Sequence, residues 1–449
     1  MPTGGRSFRA DGVSVMALGL AALVFFAICG INQAAAAESP PAAPGKPVDF
    51  DAAVGLALRQ SPLFTKSALE IDLRHLDETD SRTAFVPSVT LRTRYFVDRP
   101  DVPNLAPHAY SLAFLTDDYN PVEAYFTLQV RKIITRMAIL GHLQVIANGL
   151  HRLAQGFLQL DAMKRLSPLQ EEAIKLAQKN LSYQQERLRI GEAAPPEVEM
   201  AGQELDLARL EKQHLKESQD SLEAGLKSLL GLAPEAPVTF DLSPTRRQVL
   251  ENFDPARANL KEVQSRSFAL QVQSLKKDLQ AKNIILAKTR LLPSLFFGVE
   301  TPDPLSAVDA SGYYFSVGVK LPVWDGFRRV RDISRQRTIL RQFDAEAELQ
   351  ELDVGEKWRQ AMEQVRTAMR ALKLAQAKQE VARLKARQAE IRYQAGEPLA
   401  QVLAARRESL EEERQTVLKA LDHDLARLAV RHLSGDLVYH YVDESSWRR

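Results

Sequence analysis

Cysteine is almost missing from this chain of 449 residues; the single one, Cys29, lies in the first apolar run. Everything beyond that run is cysteine-free, which suits an oxidising compartment. Charge of one sign is also missing: 26% of residues are charged but the net charge is +2, so no broad basic field points to nucleic acid. Aromatic residues are sparse at 7%. The eight histidines are scattered; His142 and His151 are nine apart, as are His423 and His432, and neither pair has the i, i+4 spacing of two metal ligands on one helix face. The sequence has no phosphate-cradling glycine loop and no nucleophile signature. An enzyme is therefore not expected, nor a catalytic residue, a metal or a cofactor, and any ATP hydrolysis would belong to a partner. Abundant Ala, Leu, Glu, Gln, Lys and Arg favour long helices instead.

The amino terminus differs from the rest. Arg6 and Arg9 precede an apolar run from Val13 to Ile31, followed by small residues at Ala35 and Ala37. This pattern predicts a secretory signal over 1–37, cleaved after Ala37, with an uncleaved membrane anchor as the alternative. Ile28 fits poorly before a lipidated cysteine, so no lipid anchor is predicted. A Pro-rich linker over 38–49 follows.

The remainder is written twice. Phe85-Val86-Pro87-Ser88-Val89 matches Leu291-Leu292-Pro293-Ser294-Leu295 at an offset of about 206, Arg189-Ile190-Gly191-Glu192 matches Gln394-Ala395-Gly396-Glu397, and Leu229-Leu230-Gly231 matches Leu433-Ser434-Gly435. Two structural repeats are expected, 50–240 and 241–435, then a tail over 436–449. Each should run helix, strand, loop, strand, long helix, Gly turn, helix. Leu215, Leu222 and Leu229 recur every seven residues, as do Leu403, Leu410 and Val417, which indicates lengthwise coiled-coil packing. Nothing stops a helix between Arg328 and Ala395, a span of roughly 100 Å. Gly191 and Gly396, with Pro195, Pro196 and Pro398 close behind, mark hairpin tips.

Four segments alternate with period two. Val89, Leu91, Tyr95 and Val97 oppose Thr90, Arg92 and Arg94. In EAYFTLQVR, Phe126 and Leu128 oppose Arg131. Leu295, Phe297 and Val299 oppose Glu300; Phe315, Val317 and Val319 oppose Lys320. HAYSLAFL (108–115) also alternates and is the alternative second strand; choosing EAYFTLQVR leaves the first long helix about two heptads shorter than the second. Within lipid a sheet must have no free edge, and four strands cannot close a barrel. Several copies would have to share one, with Val89, Leu91, Phe126, Leu128, Leu295, Phe297, Phe315 and Val317 facing lipid and Arg92, Arg94, Arg131, Glu300 and Lys320 lining the lumen. The plain alternative is a soluble four-stranded sheet on helices.

These residues resemble the TolC-like outer-membrane efflux proteins of Gram-negative bacteria. AVGLALRQSP (53–62), the two (L/V)PS strand openings, VKLPVWDGFRR (319–329) and the tips YQQERLRIGEAAPPEVEMA (183–201) and IRYQAGEPLAQVLAA (391–405) carry the resemblance. It implies a mainly α protein with a small β part: a homotrimeric 12-stranded β-barrel in the outer membrane on an α-helical tunnel through the periplasm. It further implies docking on a periplasmic adaptor (a membrane fusion protein) that joins an inner-membrane transporter. The expected role is a passive conduit for efflux of small molecules or ions, with type I protein secretion or, less so, a periplasmic coiled-coil adaptor as alternatives. On the resemblance, Gly191, Glu192, Gly396 and Glu397 would dock the adaptor, and Glu197 and Gln401 would sit at the periplasmic gate. The sequence departs from it at the second tip, where Gln401-Val402-Leu403-Ala404-Ala405 lacks the aspartates of a DVLDA-like run. It departs again at Lys132–Arg136, where the first half has no PLFDGG-like turn.

Overall fold

The computed structural model describes residues 47–86, 90–95, 110–115, 119–251, 253–255, 259–301, 314–321 and 324–442. Val89, the segment 1–37, most of the linker (38–46) and the end of the tail (443–449) lie outside the described residues. Pro47–Arg449 make one compact unit. In chain order the elements are α1 (Phe50–Gln60), α2 (Pro62–Thr83), β1 (Thr90–Tyr95), β2 (Tyr110–Leu115), α3 (Pro121–Arg189), α4 (Pro195–Leu229), α5 (Leu260–Arg266), α6 (Phe268–Thr289), β3 (Ser294–Thr301), β4 (Tyr314–Lys320), α7 (Arg328–Gln394), α8 (Leu399–Leu433) and α9 (Asp436–Tyr441).

The order helix, strand pair, long helix, return helix occurs twice. The long helices are 69 and 67 residues, and both return helices are 35. At 1.5 Å per residue the long ones extend about 100 Å, too far for a globular core to enclose. Gly191 (φ 80°) and Gly396 (φ 102°) end them in the left-handed conformation. At each tip the next amide reaches back over the turn, Glu192 N to Arg187 O at 2.8 Å and Glu397 N to Arg392 O at 3.1 Å. These bonds satisfy carbonyls that a helix end leaves open.

The four strands form one antiparallel sheet in the order β1-β2-β3-β4. Here one sequence expectation is corrected. The second strand of the first half is Tyr110–Leu115, within HAYSLAFL; EAYFTLQVR lies in the first turns of α3, so Phe126, Leu128 and Arg131 are helical. The cause is the start signal just upstream. The Asn120 side chain accepts from Val122 N and Glu123 N at 3.1 Å each, and Pro121 occupies the first helical position. An N-cap, a proline at N1 and an early glutamate together outweigh a short run of alternation. The two long helices are consequently near-equal rather than two heptads apart.

Most of the core gathers where the helices meet below the sheet. Phe50, Leu150, Leu153, Phe157, Leu226, Leu230 and Leu428 are fully buried there, each worth about 1.5–3 kcal/mol of transfer free energy. Phe157 meets Phe50 at 5.5 Å and Phe240 at 5.3 Å, edge to face. The segment between the halves is lashed onto this core by arginines of α8. Arg431, 1% exposed, donates to the carbonyls of Gln248 and Val249 and pairs with Asp436 at 2.8 Å. Arg427, one turn earlier, donates to the carbonyls of Leu250 and Phe253 at 3.1 Å.

Candidate functional site

Two regions carry chemistry: the sheet and the hairpin tips. In the sheet, register fixes the faces. Leu91 stands opposite Phe114, Phe114 opposite Val299, and Val299 opposite Phe315, while Phe297 faces Val317 and Leu295 faces Val319. Leu91, Leu295, Phe297, Phe315 and Val317 therefore share one face. That face is apolar and bare: Phe315 is 80% exposed and Val317 74%. Arg92, Glu300 and Lys320 fall on the other face by the same register, with Arg92 opposite Ala113 and Ala113 opposite Glu300. Arg94, opposite Ser111, shares it. Glycines there make room for flat-lying side chains. A Cβ on Gly318 would lie 2.0 Å from the Phe296 ring, and one on Gly298 would lie 2.8 Å from Leu115. The helical Phe126 and Leu128 belong to neither face. Arg131, expected in the lumen, pairs instead with Asp77 of α2 at 3.4 Å.

At the tips, Gly191 and Gly396 have open space around them, and Glu192 and Glu397 follow each turn. Glu197 is tied to Arg187 at 3.2 Å, and the same guanidinium donates to Glu192 O at 2.7 Å. Gln401 lies in the first turn of α8, its amide bonded to Pro398 O at 3.1 Å. The sequence reading missed Arg187 and its counterpart Arg392, which lies 3.9 Å from Glu397. The signal was present, since both tips read Arg-x-x-x-Gly-Glu.

Above the tips, α3, α4 and α8 leave a cleft of about 390 Å³ between the two hairpins. Heptad-spaced ion pairs cross it from α8 to α4: Arg407 to Glu204 at 2.8 Å and Arg414 to Glu211 at 3.4 Å. Gln170 of α3 joins this line, donating to Ala208 O at 2.9 Å and Glu211 at 3.1 Å. Pro168 sits inside α3 at the head of the cleft, where it removes one ladder hydrogen bond.

Nearer the core, Arg246 pairs with Asp424 of α8 and lies 4.0 Å from Asp161 of α3. Burial raises Asp161 from its ordinary value, against the pull of Arg165 and Arg246. His151 of α3 and His432 of α8 stack at 4.5 Å across the same seam. Their buried Nδ1 atoms have no hydrogen-bond partner among the described residues. Burial, then the neighbouring His151, lowers His432 to about 4; burial and Arg152 lower His151 as well. Among the described residues no cluster of three or more metal-binding side chains occurs.

This arrangement offers long walls, a bare apolar sheet face and charged joints between hairpins. The model of a family described as outer membrane efflux protein matches residues 259–436. No curated protein is similar enough in sequence to count as a relative. The fold is that of solved outer-membrane channels. A membrane protein from Pseudomonas aeruginosa has a TM-score of 0.74 at 16% identity, over 86% of this chain and 90% of its own. The outer membrane protein VceC of Vibrio cholerae has 0.70 at 13%, over 86% and 96%. The CmeC outer membrane channel of Campylobacter jejuni has 0.69 at 15%, over 86% and 85%.

Proposed function

From a chain whose residues 259–436 match the family model of outer membrane efflux proteins and whose fold is like that of solved outer-membrane channels, we propose that three copies form one export conduit. The halves 50–240 and 241–435 act as two copies of one unit, each giving the wall a strand pair and a helical hairpin. Twelve strands close a barrel in the outer membrane, and the hairpins continue it as a tunnel in the periplasm. The chain is a passive wall and gate, and energy comes from an inner-membrane transporter reached through a periplasmic adaptor.

The single observation that carries this reading is the sheet of one chain. Its apolar face is bare at Phe315, Val317 and Val319, and among the described residues β1 and β4 are the two outer strands, each paired to one neighbouring strand only. In water that face invites aggregation, and in lipid each open edge group costs several kcal/mol. Sharing strands among copies resolves both, with Leu91, Leu295, Phe297, Phe315 and Val317 toward lipid and Arg92, Arg94, Glu300 and Lys320 toward water.

The tips Gly191-Glu192 and Gly396-Glu397 are the adaptor contact, with Arg187 and Arg392 holding their shape. The gate lies just above, at Glu197, Gln401 and the Arg407–Glu204 and Arg414–Glu211 pairs that bind the two hairpins together. The missing aspartates of the second tip leave the acidic character of the entrance to Glu197. Efflux is the reading that the matching family's description favours, and small molecules or ions are the proposed cargo.

The test is mass in detergent, membrane fractionation and conductance in planar bilayers. A trimer from the outer-membrane fraction with discrete conductance is expected. Arg407→Ala with Arg414→Ala should raise that conductance. A soluble monomer would refute the conduit, and an unchanged conductance would refute the gate.

A further inference from the structure

The helices of one chain stand in a row with two bare ends. Just below the sheet α2 packs on α3, α3 on α6, and α6 on α7; further down, α4 packs on α3, α3 on α8, and α8 on α7. So, among the described residues, α7 packs on one side only along its length, and α2 is the end of the row on the opposite flank. The strands show the same order, with β1 and β4 at the ends.

Both bare flanks carry a pattern. On α2, Leu69, Leu73 and Leu76 are 56%, 56% and 61% exposed, in an i, i+4, i+7 stripe opposite the buried Phe64, Glu78 and Ser81. Asp72 and Asp80 flank this stripe, exposed and without an ion pair among the described residues, whereas Glu70, Asp77 and Glu78 are held by Arg74, Arg131 and Arg82. On α7 the face turned away from the buried Val354, Trp358 and Ala361 carries Val330, Arg331, Thr338, Arg341, Leu349 and Leu352. Its first turn has no acidic residue, against the preference of a helix N-terminus. Arg331 and Arg341 are exposed and likewise have no ion pair among the described residues.

The heights agree. α2 ends and α7 begins at the sheet, so distance from it follows from 1.5 Å per residue. Asp80 and Arg331 both lie about 5 Å below, Leu73 and Thr338 about 15 Å, and Asp72 and Arg341 about 17 and 20 Å. A contact between two different faces of identical chains is heterologous, and it closes into a ring when the rotation permits.

We infer that α2 of one copy lies antiparallel along α7 of the next, with Asp80 and Asp72 opposite the partner's Arg331 and Arg341 and the leucine stripe between them. This rests on the trimeric conduit proposed above and names the surface through which its helical wall closes. The seam sets register: sliding one copy by a helical turn would pull both acids away from their arginines.

The chain's single cysteine is Cys29, far in sequence from both flanks, so engineered pairs read against a background of one native thiol. Leu73→Cys with Thr338→Cys should cross-link copies into dimers and trimers in the outer-membrane fraction under mild oxidant, and neither single variant should. Asp80→Arg should deplete the trimer in detergent, and Arg331→Asp in the same chain should restore it. A wild-type trimer that neither cross-links here nor loses assembly with Asp80→Arg would overturn the seam while leaving the conduit standing. The same result follows if lipid or another protein covers these flanks. A wild-type chain that is monomeric would instead remove the conduit reading itself.

Discussion

Replacing His432 by glutamine should flatten the acid dependence of stability. His432 is held at about 4, from an ordinary 6.5, by burial and by the His151 ring stacked at 4.5 Å. As pH falls through 6.5 the unfolded chain takes up a proton at this position before the folded one does. Stability is therefore complete above the unfolded value and declines toward the folded one. A full shift of this size is worth about 3 kcal/mol, and at pH 5 about 2 kcal/mol of it is already lost. The measurement is urea unfolding of the helical signal of detergent-solubilised protein at pH 7.5 and 5.0, with the slope against urea held constant. The wild type should lose about 2 kcal/mol more between these pH values than His432→Gln does. Asp161, raised by burial, contributes equally to both proteins and cancels. Equal losses would mean that His432 is solvated or hydrogen-bonded in solution and that the α3–α8 seam is looser than described.

Two further outcomes follow from the geometry. Val317→Arg places a charge on the bare apolar face of β4 and should cost about 2–4 kcal/mol of membrane stability, seen as loss from the outer-membrane fraction, whereas Ser316→Arg on the other face should be retained. Gly231→Ala should destabilise more than Gly191→Ala. Both glycines have positive φ, but a Cβ on Gly231 would lie 2.4 Å from Gln60 O, while Gly191 has open space. The expected difference in unfolding free energy is about 1–3 kcal/mol, and equal midpoints for the two variants would refute it.

The hairpins were legible because their signals are local. Leu215, Leu222 and Leu229 mark a seam wherever the helix goes, and Gly191 and Gly396 mark its end through their own φ angles. Strand faces were legible for the same reason: alternation alone put Leu295, Phe297, Phe315 and Val317 on one side, and pairing agreed. EAYFTLQVR misled because a run of nine residues fits either period when its start signal, Asn120-Pro121, goes unweighed. The tip arginines were legible in principle, since the Arg-x-x-x-Gly-Glu run occurs twice.

By itself, then, the amino-acid order determined the rods, their breaks and which residues of each strand share a face. Only the tertiary structure decided that Arg427 and Arg431 clasp a segment roughly 180 residues away, that His151 meets His432, and that α2 and α7 are left as the bare ends of the row. The reason is physical. Helix period, strand period and chain reversal depend on neighbours along the backbone, whereas these contacts depend on how finished helices pack, and no local pattern carries that information.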